Sequence, residues 1–207
     1  MNRFEKTISL AITGASGAAY AIRLLETLLA ARVRVYLMIS RPGQIVLGSE
    51  TDIDLPGRPA GIQRLLSERY AAAEGQLRVF GQDEWTAPVA SGTSAPDAMI
   101  VCPCTTGTLA AVATGMSRSL LERAADVVLK EGRRLVLVVR ETPFSAIHLE
   151  HMLGLARLGV VILPANPGFY LCPETVSDLV DFVVARVLDQ VGIAHDLSSR
   201  WGAQENR

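Results

Sequence analysis

The sequence predicts an α/β fold, a three-layer sandwich in which helices cover both faces of a mostly parallel sheet. Three observations predict it. Short β-rich apolar runs alternate with segments of helical period along the whole chain. Turn-forming glycine, proline and hydroxyl residues separate them. Apolar residues make up 49% of the 207 and charged residues 20%, enough for a core buried on both sides of a sheet. The length suits one domain over 1–207, with a polar tail at 192–207.

The elements follow in order. Ile8–Thr13 is a strand that stops at glycine, and Ala18–Ala31 is a helix with apolar residues at 21, 24, 25, 28 and 29. Val33–Ile39 is the second strand, followed by a helix at Pro42–Gly48. Residues 50–61, rich in Asp, Pro and Gly, read as a loop. A helix at Ile62–Ala73, a strand at Leu77–Phe80 and a loop at 81–96 lead to a buried strand at Met99–Cys102. Helices are expected at Thr106–Thr114 and Ser119–Lys130. Leu135–Val139 is the clearest core strand, then a helix at Ser145–Leu158, a strand at Val160–Leu163 and a last helix at Ser177–Val191.

Several functions are excluded early. The net charge of −1, with no basic block, argues against broad nucleic-acid binding. No apolar run is long enough for a membrane span, and the polar start is not a signal peptide. With an odd number of cysteines, 102, 104 and 172, reduced thiols and a cytoplasmic location are expected.

In a parallel sheet of this kind, ligands sit beyond the carboxyl ends of the strands. The loops there carry the chemistry. Gly14-Ala15-Ser16-Gly17 joins a strand to a helix and outlines a phosphate or flavin cradle; a plain turn with Ser16 as helix cap is the alternative. Ser40-Arg41 ends the second strand where an NAD enzyme would place an acid, a pattern that also suits the extra phosphate of NADP. Cys102-Pro103-Cys104-Thr105-Thr106-Gly107-Thr108 is a second hydroxyl-rich turn. Its Cys-x-Cys lacks the second pair a structural zinc needs, so small buried cysteines are the better reading. Arg140-Glu141-Thr142-Pro143 offers an anion site with a carboxylate beside it, or a solvated loop pair. Pro164-Ala165-Asn166-Pro167-Gly168-Phe169-Tyr170 is a stiff loop ending in aromatics. His148, Glu150 and His151 lack the zinc-hydrolase spacing and read as a solvated helix face. Lys130 stands at a helix end and Arg186 in mid-helix. Trp201, alone in the polar tail, points to docking of that tail on a neighbouring subunit.

Taken together, Ile12-Thr13-Gly14-Ala15-Ser16-Gly17, Glu50-Thr51-Asp52, Ser91-Gly92, Pro103-Cys104-Thr105, the run from Arg123 to Glu131, Leu137 to Pro143, Pro167-Gly168-Phe169-Tyr170 and Arg200-Trp201 closely resemble the flavin prenyltransferases of the UbiX type. The resemblance spans about residues 7 to 202. It implies a Rossmann-like, flavodoxin-like flavoprotein domain assembled as a homododecamer with sites between subunits. It also implies a metal-independent enzyme that joins a dimethylallyl group, from dimethylallyl phosphate, to N5 and C6 of reduced FMN. The prenylated FMN would then serve a UbiD-type decarboxylase, often in ubiquinone synthesis.

By the same resemblance, Gly14, Ala15, Ser16, Ser40, Thr105, Thr106, Thr108, Arg123 and Arg140 are expected FMN contacts. Ser91, Gly92, Lys130, Arg140, Glu141, Tyr170 and Arg186 are expected at the prenyl phosphate. Ser16 and Glu50 would stand near the reacting flavin edge, and Trp201 would wall the prenyl pocket. Catalytic roles fall to Ser16, Glu50, Lys130, Glu141, Tyr170 and Trp201. Two departures from the pattern stand out: a long stretch around 73–90 carrying Trp85, and Cys172 where a polar residue is common.

Three other readings compete. An FMN-dependent decarboxylase of the cysteine-decarboxylase flavoproteins would share the fold and cradle but would not need the lysine and two arginines. An NADP-linked reductase would carry Tyr-x-x-x-Lys, and none of tyrosines 20, 36, 70 and 170 has a lysine four residues on. A flavin carrier would bind FMN without turnover.

Overall fold

The computed structural model describes residues 4–198. Six strands form one sheet in the order β3-β2-β1-β4-β5-β6, and every pairing is parallel. The strands are β1 (Thr7–Ile12), β2 (Arg34–Ile39), β3 (Leu77–Phe80), β4 (Ala98–Cys104), β5 (Arg134–Val139) and β6 (Val161–Ile162). The helices are α1 (Ala18–Ala30), α2 (Arg41–Glu50), α3 (Pro59–Arg69), α4 (Thr106–Ala113), α5 (Leu120–Lys130), α6 (Ala146–Arg157) and α7 (Val176–Val191).

The strands are apolar on both sides because both faces are covered. Ile8, Leu10 and Ile12 of β1, with Val35, Leu37 and Ile39 of β2, pack under α1, α3 and α7. Met99 and Val101 of β4, with Leu135, Leu137 and Val139 of β5, pack under α4, α5 and α6. Successive strand residues thus serve opposite layers, as the two-residue period requires. Chain order reverses between β1 and β4. This is the switch point, where the loops on either side part and leave a crevice.

Element boundaries differ from the expected ones for local reasons. Helix α2 runs on to Glu50, which the sequence placed in a loop. Helix α3 begins at Pro59 rather than Ile62, because proline at a first helical position loses no intrahelical hydrogen bond. It stops at Arg69 rather than Ala73, and Ala71 turns left-handed at φ 48°. Strand β4 continues through Pro103 to Cys104, with a register shift against β5 between Val101 and Cys104. The shift moves Cys104 to the opposite face from Cys102: Cys102 joins the α1 side and Cys104 the α4 side. Strand β6 is only Val161–Ile162.

The described part of the C-terminal tail packs on its own chain. Gly192 closes α7 in a left-handed cap, Ile193 is buried, and His195 Nε2 lies 3.3 Å from Asp189 Oδ1. Trp201 and the rest of the tail lie outside the described residues. Among the described residues, no helix is long and apolar enough to cross a membrane.

Candidate active site at the switch point

Three loops meet beyond the carboxyl ends of β1, β4 and β5. Thr13 directly follows β1, and its buried hydroxyl donates to the Pro103 carbonyl at 2.6 Å and accepts from the Thr105 amide at 2.9 Å. The Arg140 amide donates to the Cys104 carbonyl at 3.3 Å, so the β5 loop is tied to the same turn. The Gly14 loop lies hard against α2, and a Cβ at Gly14 would overlap the Pro42 side chain.

Glu50 is the structural surprise of the first loop. Its Oε2 accepts from the amides of Gly17 at 2.8 Å and Ala18 at 2.9 Å, so the last residue of α2 caps the start of α1. The alternative in which Ser16 caps the helix does not hold. Gly17 is the N-cap at φ 122°, no side chain of its own turn caps it, and the carboxylate of Glu50 does that work from 33 residues away. Burial pushes the Glu50 carboxyl up. The Ser16 hydroxyl, the two amides and Arg140 outweigh it and hold the group below the ordinary glutamate value. Arg140 Nε donates to the Ser16 carbonyl at 3.0 Å. Its two terminal nitrogens have no hydrogen bond among the described residues. Ser16, Glu50 and Arg140 therefore stand together.

The other two helix starts differ from α1. Ser40 caps α2 by accepting from the Gly43 amide at 3.1 Å. Thr105 caps α4 by accepting from the Thr108 amide at 3.1 Å, and it donates to Thr108 Oγ1 at 3.0 Å. The amides of Thr106 and Gly107, in the first turn of α4, have no partner among the described residues. Free amides, hydroxyls and a guanidinium at a strand-to-helix crevice suit an anion such as a phosphate.

The remaining expected residues divide into two groups. Tyr170 and Arg186 belong to the β6–α7 side. Tyr170 meets Phe182 edge to face at 5.7 Å, and Arg186 lies one helical turn beyond Phe182, paired with Asp189 at 2.7 Å. Glu141 follows Arg140 directly and accepts from the Thr142 amide. Lys130 stands apart. It ends α5, just before β5 begins, whereas Arg140 follows the far end of β5. Six residues of strand separate them by roughly 20 Å. Lys130 pairs with Glu131, and both lie beside Gly92, where any Cβ would strike them. Ser91 and Gly92 therefore go with Lys130. Arg123, near the start of α5, is engaged by Asp126 at 2.7 Å and the Ala90 carbonyl at 3.2 Å. The single chain assembles Gly14, Ala15, Ser16, Ser40, Glu50, Thr105, Thr106, Thr108 and Arg140. It does not bring Lys130, Ser91 or Gly92 to them.

Burial pushes the Cys104 thiol up to about 12 and raises that of Cys102 as well, so both stay protonated. They face opposite layers and cannot share a metal. Among the described residues, no group of three or more His, Cys, Asp or Glu could hold a metal. His148 serves a capping box with Ser145 at the start of α6.

Comparison with known proteins adds to this geometry. The flavoprotein family model matches residues 2–188. A flavin prenyltransferase UbiX of Pseudomonas aeruginosa is 59% identical over 197 residues, 95% of this chain and 94% of that one. The crystal structure of AnUbiX (PadA1) in complex with FMN and dimethylallyl pyrophosphate superposes with a TM-score of 0.85 at 39% identity, over 97% of this chain and 99% of that one. A dodecameric FMN-dependent UbiX-like decarboxylase from Escherichia coli O157:H7 superposes with a TM-score of 0.84 at 41% identity, over 95% and 100% of the two chains.

Proposed function

Since the chain belongs to the flavoprotein family and, within it, to the UbiX flavin prenyltransferases, we propose that it joins a dimethylallyl group from dimethylallyl phosphate to reduced FMN. The observation that carries this reading is the grouping of Ser16, Glu50 and Arg140 beside the turn that opens α4, where the amides of Thr106 and Gly107 have no partner among the described residues. The residues fit FMN. Thr105, Thr106, Gly107 and Thr108 would hold its phosphate with amides and hydroxyls at the start of α4, and Ser16 and Arg140 would hold its ring.

When bound in its reduced form, FMN supplies the nucleophilic N5 and C6 to which the prenyl group is joined. The chain's own residues do the rest. Arg140, Tyr170 and Arg186 hold the prenyl phosphate, and the phosphate leaves with the electrons of the broken allylic C–O bond. Cationic donors fixed in place lower the barrier because they meet the negative charge as it develops. Glu141 relays a proton to that phosphate. Glu50, through the Ser16 hydroxyl, takes a proton from the flavin edge, a role for which a carboxylate kept ionised is suited. Trp201, outside the described residues, closes the prenyl pocket in this reading.

Lys130, Ser91, Gly92 and Arg123 enter the site from a neighbouring subunit. The roughly 20 Å length of β5 supports this, since it keeps Lys130 from its own Arg140. Leu149 and Leu153, one turn apart and each 52% exposed on α6, give the chain an apolar outer face suited to self-association. We take the assembly to be a dodecamer, as the E. coli structure is described, and the product to serve a UbiD-type decarboxylase.

Anaerobic incubation with reduced FMN and dimethylallyl phosphate, followed by mass spectrometry of the flavin, tests the reading. FMN carrying one C5 unit is the expected result. Bound but unmodified FMN, with phosphate and diphosphate donors alike, overturns it and favours direct decarboxylation, the activity named for the E. coli structure.

A further inference from the structure

We infer that Thr13 is a positioning residue for the cofactor cradle, and that its hydroxyl sets the aim of the free α4 amides. This rests on the reading of that cradle as the FMN site. Thr13 directly follows β1 and is 2% exposed. A buried hydroxyl is costly unless both its donor and its acceptor sides are used. Here both are: the hydrogen goes to the Pro103 carbonyl at 2.6 Å, and the oxygen takes the Thr105 amide at 2.9 Å. Its own amide also donates to the Pro103 carbonyl at 3.3 Å.

The consequence runs along the chain. Thr105 is the N-cap of α4, so the bond to its amide fixes the residue from which the helix starts. The Thr105 hydroxyl then orients Thr108 through two hydrogen bonds. Between Thr105 and Thr108 lie Thr106 and Gly107, whose amides have no partner among the described residues. Thr13 is buried, and it joins the Gly14 loop to the α4 start across the switch point. A valine of the same shape would fill the space and leave the part-buried Thr105 amide without its acceptor.

The test uses the full-length chain with Thr13→Val and Thr13→Ser, titrated with FMN and followed by flavin fluorescence. Thr13→Val is expected to bind FMN roughly 10-fold more weakly or worse, as loss of a buried hydrogen bond implies. Thr13→Ser, which keeps the hydroxyl, is expected to restore binding to within about 3-fold. At saturating FMN the Val variant should recover prenyl transfer, a KM effect rather than a kcat effect. Equal binding by wild type and Thr13→Val, or equal loss in both variants, overturns the inference. Amide hydrogen exchange on the wild-type protein gives a second readout that needs no variant to fold. Slow exchange at Thr105 supports the link and fast exchange overturns it. If even the wild type fails to bind FMN, the functional reading falls, and the Thr105 amide still decides whether the link exists.

Discussion

Glu50 caps a helix, and in the proposed reaction the same side chain also takes a proton. Its carboxylate caps α1 and hydrogen-bonds Ser16, so changing it has two separable effects. Glu50→Gln keeps an oxygen at the cap but removes the charge that favours a helix N-terminus. A loss of about 0.5–1 kcal/mol in stability is expected, read by thermal melting. The pH dependence has a definite sign. The folded carboxyl titrates below the unfolded one, so its contribution is full above the unfolded pKa. It fades as pH falls through the lower, folded pKa. The melting difference between wild type and Glu50→Gln should therefore shrink on acidification, and a constant difference would contradict the assignment. This role was not legible in the sequence. Glu50-Thr51-Asp52 could be matched to a family pattern, but the amides Glu50 accepts from lie 33 and 32 residues earlier and only the fold brings them close.

At the scale of elements, most of the architecture was legible, since a doubly covered sheet needs apolar runs of strand length separated by helical period. What escaped was set by single residues acting on the backbone. Pro59 opens α3 early, Ala71 ends its continuation, and the register shift around Pro103 lengthens β4 and turns Cys104 to the other face. The junction of β1 with α2 was half legible: Gly14 was read as a place for close ligand approach, but its missing side chain first makes room for Pro42. Gly14→Ala should therefore disturb α2 before any ligand is added. Overpacking of this kind is expected to cost about 1–3 kcal/mol. Ser40, two residues before Pro42, would move with it. Chemical denaturation of the FMN-free protein checks this: unchanged stability would mean the contact yields easily.

The whole molecule explains why the list of site residues splits. A parallel sheet has two ends, and a helix returning from one strand to the next ends opposite the chemistry. Lys130 ends such a helix, so motifs that the proposed function assigns to one reaction lie at opposite ends of one chain's sheet. Motif matching registers residues in order and is blind to that separation. If the missing half comes from a neighbour, Lys130→Ala and Arg140→Ala should each abolish prenyl transfer alone. Mixed subunits of the two variants should recover activity at about a quarter of the sites, the fraction in which each side supplies an intact residue. Absence of recovery in assemblies shown to be mixed would place both residues in one subunit's site.

The burial of Cys102 and Cys104 on opposite faces of β4 has a practical consequence. Both thiols are sealed at the centre of the sheet, while Cys172 lies at the surface. In native protein an alkylating reagent should modify Cys172 alone, as intact-mass measurement would reveal. The other two become reactive only when the sheet parts, one reporting from each layer. The protein thus carries its own clock for opening: the order in which Cys102 and Cys104 acquire label tells which layer peels away first.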